Sequence, residues 1–456
     1  MHKTNALSRS LSREFAVTAS TSQPSPIAIP EVSYLPRKLS LLAFEQDIFV
    51  SFLHSRLPRW LGKSPSWMDL ARMYAEGAQS ITAKHSLRAL STLYFGRMNR
   101  QQDIINQAFA PYGAALRELN KDLQDPSKAT SLSVVISAIT LQTFEVSNPL
   151  SYTFRKLTIQ FIAFSSKSGW LEHAGGIGRL IELRGPEQHQ LEPDKEILDS
   201  NRVLIVLGCL VKRKRCFLER SEWKIIPWAL EPELKQPIHY QQDMLCDIPG
   251  LLEDASALHD EALRSDERVH LHTRLSGNIY SHLGALYQWR WEWERNNPHC
   301  CYETEKIQAP GEAQPIFPAM LSFASLIRAN EINIYNCILL LLLKLGSEVI
   351  GPSFNFAISN QTHLHNTSSN PLYLPGQAPN PLAIAAEICR SVDYHLLEHQ
   401  NSAGAFFLLF PLRLAYQTFN EGTNERRWVV GVLEKIAVMS GFEIGRGLSV
   451  QGDLVE

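Results

Sequence analysis

The feature that most constrains this chain is the spacing of its apolar residues, which recur by threes and fours and hardly ever by twos. Ile105, Ala108, Phe109, Tyr112, Leu116, Leu119 and Leu123 fall on one face only if the backbone is helical. Leu132, Val135, Ile136 and Ile139 repeat the spacing after Asp125-Pro126, and Val429, Val432, Leu433 and Ile436 repeat it near the end. Strands would need alternating runs of Val, Ile and Thr between turn signals, and no regular strand-helix alternation is present. An all-α fold is therefore expected. Pro111 lies within the first face, and because it has no N–H to donate it predicts a kink or a restarted helix there.

The chain of 456 residues, 45% hydrophobic and 20% charged, has ample apolar surface for a large core. After the Ser/Pro-rich stretch Thr18 to Pro36 the composition turns apolar at Leu39, Leu42, Phe44, Ile48, Phe49, Phe52 and Leu53. We therefore divide the chain into a disordered tail over 1–36, a large helical domain over 37–447 and a C-terminal tail over 448–456. Gly351, Pro352, Pro371, Pro375, Gly376, Pro379 and Pro381 punctuate one long interval, so 351–381 is expected to be a flexible surface loop.

Charge and cysteine usage narrow the function classes. Lys and Arg number 44 against 46 Asp and Glu, a formal charge of -2, whereas a domain that grips phosphates alone usually carries a basic excess. Seven scattered cysteines, none before Cys209, read as free thiols in a reducing compartment. The longest apolar run, Cys337 to Leu343, is far short of the ~20 residues that cross a bilayer and reads as a buried helix, so no membrane partner is expected. Lys3, Arg9 and Arg13 with the single acid Glu14 loosely suit a mitochondrial presequence over 1–22, but the tail reading is preferred. The sequons at Asn360 and Asn366 are read as coincidental in a polar loop.

Several short patterns suggest chemistry. His395-Leu396-Leu397-Glu398-His399 fits H-x-x-E-H, in which two histidines one turn apart hold zinc beside a general base. No third ligand declares itself, and the reading adopted is a solvated helix end whose buried stripe is Ile388, Val392 and Leu396. Gly176-Ile177-Gly178 lacks the preceding strand and third glycine of a dinucleotide fingerprint and is read as helix packing. Ser221-Glu222-Trp223-Lys224 fits S-x-x-K without the companion motifs of serine acyltransferases. Trp289 and Trp293 share a helix face and read as core packing rather than a base-stacking platform. Lys212, Arg213, Lys214 and Arg215 form the strongest basic cluster; it is a nuclear-localisation candidate, although a solvated end after the apolar run Val203 to Val211 is the preferred reading. No cofactor, metal or catalytic constellation is expected.

The most specific signal is Gly169-Trp170-Leu171-Glu172-His173-Ala174-Gly175-Gly176-Ile177-Gly178-Arg179-Leu180-Ile181-Glu182-Leu183-Arg184-Gly185-Pro186. It resembles the W-x-x-H-x-x-G-x-x-x-L-I-x-x-R-G-P segment of the fungal-specific transcription factor domain, the regulatory region of fungal zinc-cluster transcription factors. Ala114 to Leu119, Cys216-Phe217-Leu218 through Trp223 and Pro227-Trp228, Pro249 to Glu253, and Pro411 to Ala415 resemble further pieces of that domain in the same order. The resemblance spans about 37–447. Trp170, His173, Gly175, Leu180, Arg184, Gly185 and Pro186 read as scaffold: an aromatic anchor, glycines Gly175, Gly176 and Gly178 allowing close helix approach, and a Gly-Pro helix stop. Complete members of that family begin with six cysteines that hold two zinc ions and place a helix in the major groove, and no such cluster precedes Cys209 here.

The resemblance implies a nuclear transcriptional regulator, not an enzyme, controlling a metabolic or secondary-metabolite gene set. It would reach DNA through a protein partner such as a complete zinc-cluster factor, and a small-molecule effector is among its expected ligands. The alternative is a cytoplasmic helical enzyme or small-molecule-binding protein that reuses the scaffold, with His395 to His399 as its metal-site candidate.

Overall fold

The computed structural model describes residues 42–56, 67–77, 80–147, 169–306, 314–354, 370–397 and 401–440. The expected tails at 1–36 and 448–456, together with Glu398 and His399, lie outside the described residues. The helices are α1 (Leu42–Arg56), α2 (Trp67–Glu76), α3 (Ile81–Met98), α4 (Gln102–Gln107), α5 (Phe109–Gln124), α6 (Leu132–Val146), α7 (Gly169–Arg184) and α8 (Asp194–Lys212). They continue as α9 (Ser221–Ile225), α10 (Pro237–Ala257), α11 (Ser265–Asn296), α12 (Leu326–Val349), α13 (Pro381–Arg390), α14 (Val392–His395), α15 (Asn401–Thr418) and α16 (Asn424–Ser440). Helix dominates, as the three-four spacing requires.

In the first part, α3 packs against α2, α4, α5 and α6. Ser80 starts α3 by accepting a hydrogen bond from the Ala83 N–H (3.1 Å). The expected break at Pro111 falls slightly earlier: α4 ends, the chain turns at Ala108, and α5 restarts at Phe109, so Pro111 sits in the first turn where its missing donor costs nothing. Ile105, Ala108 and Leu119 of the predicted stripe are buried, whereas Leu123 is exposed. Tyr112 stacks on Phe144 and donates to the Glu145 carboxylate, joining α5 to α6.

The second part is organised around α12. Ser325 caps it, and nearly every residue from Leu326 to Gly346 is buried because α10, α11, α13 and α15 surround it. Its run Cys337 to Leu343 is apolar on all faces and must be buried on all faces, while Glu331, Asn333 and Asn336 are buried with hydrogen-bond partners. Among the described residues it is the one helix long and apolar enough to cross a membrane by length and composition, and 78% of its most apolar window is covered by the rest of the protein.

The sequence signals missed one element. Cys301–Glu305 (β1) and Ala319–Phe323 (β2) form an antiparallel ribbon pairing Cys301 with Phe323 and Glu305 with Ala319. β1 carries Tyr302, Glu303, Thr304 and Glu305 on solvent-facing positions and buries only Cys301, so it lacks an apolar alternation to betray it. Arg390 secures the ribbon to α13 by donating to the Ala319 carbonyl (2.8 Å) and pairing with Glu303 (2.7 Å).

The interval 351–381 also departs from a uniform surface loop. Residues 355–369 lie outside the described residues, but the part from Asn370 onward is packed, with Leu372 and Ala378 buried. The Tyr373 N–H donates to Glu387 (2.7 Å), and Asn380 caps α13 with Pro381 in its first turn. The turns there hold Leu372 and Ala378 against the core, with Gly376, Pro379 and Pro381 exposed.

Candidate functional site

The family-like motif is structural where its side chains are described. The side chains of Trp170 and His173 lie outside the described residues. Leu180 is buried in α7, and Gly178 lets Ile205 of α8 approach, since a Cβ there would sit 3.3 Å from the isoleucine Cγ2. Gly175 and Gly176 correct the sequence reading: both are exposed and neither faces a packed helix backbone. Arg184 pairs with Asp194 at the start of α8 and donates to the Thr130 carbonyl. Gly185 then takes φ +79°, which favours glycine, and Pro186 opens a 3₁₀ turn. That turn carries His189, fully buried against Trp223, with Nδ1 2.8 Å from the Asp194 carbonyl oxygen.

The basic cluster ends α8, with Arg213 in the left-handed conformation. Its charges are largely met internally: Arg213 lies 3.5 Å from Glu348, Lys214 pairs with Glu253 (2.9 Å), and Arg215 pairs with Glu219 (2.9 Å) and Asp254 (2.7 Å). Gly250 in α10 makes room for the Arg215–Glu219 pair, because a Cβ would meet both side chains. Ser221 and Lys224 do not form an acyltransferase pair; Lys224 is bound to Asp247 (2.5 Å). Gly176 and Gly178 lie inside α7, where no phosphate-cradling loop exists.

His395 overturns the solvated-end reading. It is fully buried, and Leu396 is only partly buried beside the buried Ile388 and Val392. Its Nδ1 lies 2.9 Å from the Ser391 carbonyl oxygen and its Nε2 3.4 Å from Asn333 Nδ2, while Asn333 also bonds Ser391 Oγ (3.0 Å). Burial lowers the imidazole's pKa to about 4, keeping it neutral. Serine, histidine and asparagine thus join α12 to α14, with the Ser391 hydroxyl donating to backbone and asparagine oxygens rather than to the imidazole. Among the described residues no group of three His, Cys, Asp or Glu side chains could hold a metal ion. All seven cysteines are free thiols.

The candidate site is a cleft of about 520 Å³ between α10 and α11, above a seam of buried charge, which sequence reasoning did not anticipate. Pro237, Met244, Ala285, Trp289 and Trp293 give it an apolar lining, and Tyr240, Gln288, Glu292 and Asn297 contribute polar groups. Trp289 donates its indole N–H to the Pro237 carbonyl (3.2 Å), and Trp293 donates to Glu331 of α12 (2.7 Å). Both indoles are therefore anchored by their polar edges. The nearest sequence signal was the Trp289 and Trp293 spacing, which marked packing but not the hollow beside it.

Below the cleft, Asp243 accepts from Arg202 of α8 and from Lys235 (2.6 Å). Lys235 also donates to the Lys224 carbonyl (2.7 Å) and lies between the rings of Trp228 (4.8 Å) and Tyr240 (4.7 Å), while Arg202 covers Trp228 from 4.9 Å. Lys195 is buried and its nearest carboxylate, Glu231, is 3.9 Å away. Burial lifts the Asp199 carboxyl to about 6, and burial with the charges of Asp199 and Glu192 lifts Glu196 to about 8. Burial and the cations Arg202, Lys195 and Lys235 lower His239 to about 3. The seam is a polar layer in which Arg202 Nε and Nη1, Lys195 Nζ, Asp199 Oδ1 and Trp228 Nε1 have no hydrogen-bond partner among the described residues.

No protein-family model matches the chain, and no solved structure matches it. Among curated proteins, an uncharacterized protein of Emericella nidulans is 31% identical over 141 residues. That match takes in 31% of this chain and spans about a quarter (27%) of the relative's length.

Proposed function

We propose that this chain is a helical regulatory protein of the fungal-specific transcription factor type, which acts in the nucleus through a DNA-binding protein partner and receives a small-molecule effector in the α10–α11 cleft. One observation carries the reading: three of the segments that resemble that domain, 169–186, 216–228 and 249–253, meet around α8. Arg184 of the first segment pairs with Asp194 at the start of α8 and Glu182 beside it with Arg220 of the next; Trp223 there lies against His189 and Trp228 against Arg202 of α8, and Gly250 of the third accommodates Glu219 and Arg215. Their convergence supports a shared scaffold. The intramolecular ion pairs of Arg213, Lys214 and Arg215 support the need for a partner, since phosphates would have to compete with Glu348, Glu253, Glu219 and Asp254.

The test is to delete the gene and compare transcripts, then locate tagged protein on promoters and identify what co-purifies with it. Altered expression of a metabolic gene set and promoter occupancy that disappears with the partner are expected. Unchanged transcripts together with exclusively non-nuclear protein would refute the regulatory role. Sequence-specific, salt-resistant binding of a short duplex by the isolated chain would refute the partner requirement.

A further inference from the structure

We propose that the α10–α11 cleft selects an amphiphilic amine: a small molecule with an apolar, ring-bearing body and a protonated nitrogen. This inference rests on the effector reading of the cleft and adds its chemistry. The volume of about 520 Å³ falls within the range of small-molecule pockets, ~300–1,000 Å³, and the Met244, Ala285, Trp289 and Trp293 lining suits an apolar body.

The charges decide the rest. Lys235, the cation of the lining, is committed to Asp243, to the Lys224 carbonyl and to two aromatic faces. Asp243 is committed in turn, one oxygen to Arg202 and the other to Lys235. Glu292 is different: it is exposed, accepts from Gln288 (3.0 Å) and forms no ion pair among the described residues. The charge left over in the cleft is negative. Trp289 adds a ring quadrupole, which attracts cations, whereas the Tyr240 and Trp293 rings already face Lys235 and Arg290. An anionic ligand would face Glu292 and find no uncommitted cation, while a neutral one would use the lining but not the carboxylate.

Phenylbutylamine, phenylbutanol and phenylbutyrate present one apolar body with a positive, neutral or negative end. Each is titrated into the full-length protein at neutral pH, with binding read by tryptophan fluorescence and calorimetry. The amine should bind roughly ten-fold tighter than the alcohol, and the carboxylate should show no saturable binding. Glu292→Gln should remove most of the amine's advantage over the alcohol without lowering the melting temperature. Ala285→Phe, at an exposed lining position, should abolish binding of both by filling the cleft. Absence of saturable amine binding, carboxylate binding as tight as the amine's, an amine affinity unmoved by Glu292→Gln, or binding that survives Ala285→Phe would each overturn the proposal. Transcripts that change on gene deletion while the amine fails to bind would sink only the ligand class; amine binding without any transcript change would sink only the regulatory reading.

Discussion

α12 and the seam between α8 and α10 are both buried, yet they are held by different forces. Along α12, Leu339 to Leu343 and Leu345 meet other apolar groups, and their burial stabilises without regard to direction. In the seam, Arg202, Lys235 and Asp243 hold one another by directed, charged hydrogen bonds, where burying each ion costs free energy that only its partners offset. Loss of one residue should therefore leave a hole in the first region and a stranded charge in the second.

The sharpest challenge to this contrast is Asp243→Ala, which leaves Arg202 and Lys235 without their acceptor and should cost about 3–5 kcal/mol in urea unfolding. Replacing Arg202 as well, as Arg202→Met with Asp243→Leu, should recover part of that loss, since Lys235 then keeps only the Lys224 carbonyl and its ring contacts; a double variant as unstable as the single would break the comparison. In α12, Leu342→Ala should cost about 2–5 kcal/mol, whereas Leu342→Met should cost less than about 1.5 kcal/mol. A Leu342→Met loss equal to the alanine's would mean that shape rather than buried area governs this helix.

Acidity tests the contrast from another side. His395 beside α12 and His239 in the seam are lowered to about 4 and about 3 from the usual 6.5, so the unfolded chain takes up protons first. Their contribution is intact above pH 6.5 and lost as pH falls through the folded values, on the order of 3 kcal/mol for His395 by pH 4. Asp199 and Glu196 work the other way, because their raised values favour folding at low pH and lose that contribution as pH rises through about 6 and about 8. Thermal unfolding across pH 4–8 should show His395→Gln flattening the acid limb and Asp199→Asn flattening the opposing one. The smallest effect belongs to the exposed cluster: Lys214→Ala should cost less than about 1 kcal/mol in chemical denaturation and leave the gel-shift behaviour of the isolated chain with a short duplex unchanged.

The helices were legible because three-four spacing is a local signal, as in the stretch from Ile105 to Leu119. The β1–β2 ribbon was not, because β1 is polar and is held by Arg390 from far along the chain. Gly178 and Gly185 could be read from the motif, but Gly175 and Gly176 could not be distinguished from Gly178 without knowing which side of α7 meets α8. His395 misled for a related reason: its sequence neighbours describe a helix end, while its burial comes from α12 and α15. The cleft was invisible because α10 and α11 form it jointly, and whether Lys235 is already bound to Asp243 is a matter of tertiary geometry.

The enclosure of α12 also matters while the chain is being made. Its last residue, Val349, is synthesised well before α13 at 381–390 and α15 at 401–418, which supply part of its cover. During that interval a segment apolar enough to resemble a membrane span has only its upstream neighbours to shelter it. Nascent chains stalled just after Val349 should therefore recruit chaperones that bind exposed apolar segments, and those stalled beyond Thr418 should release them.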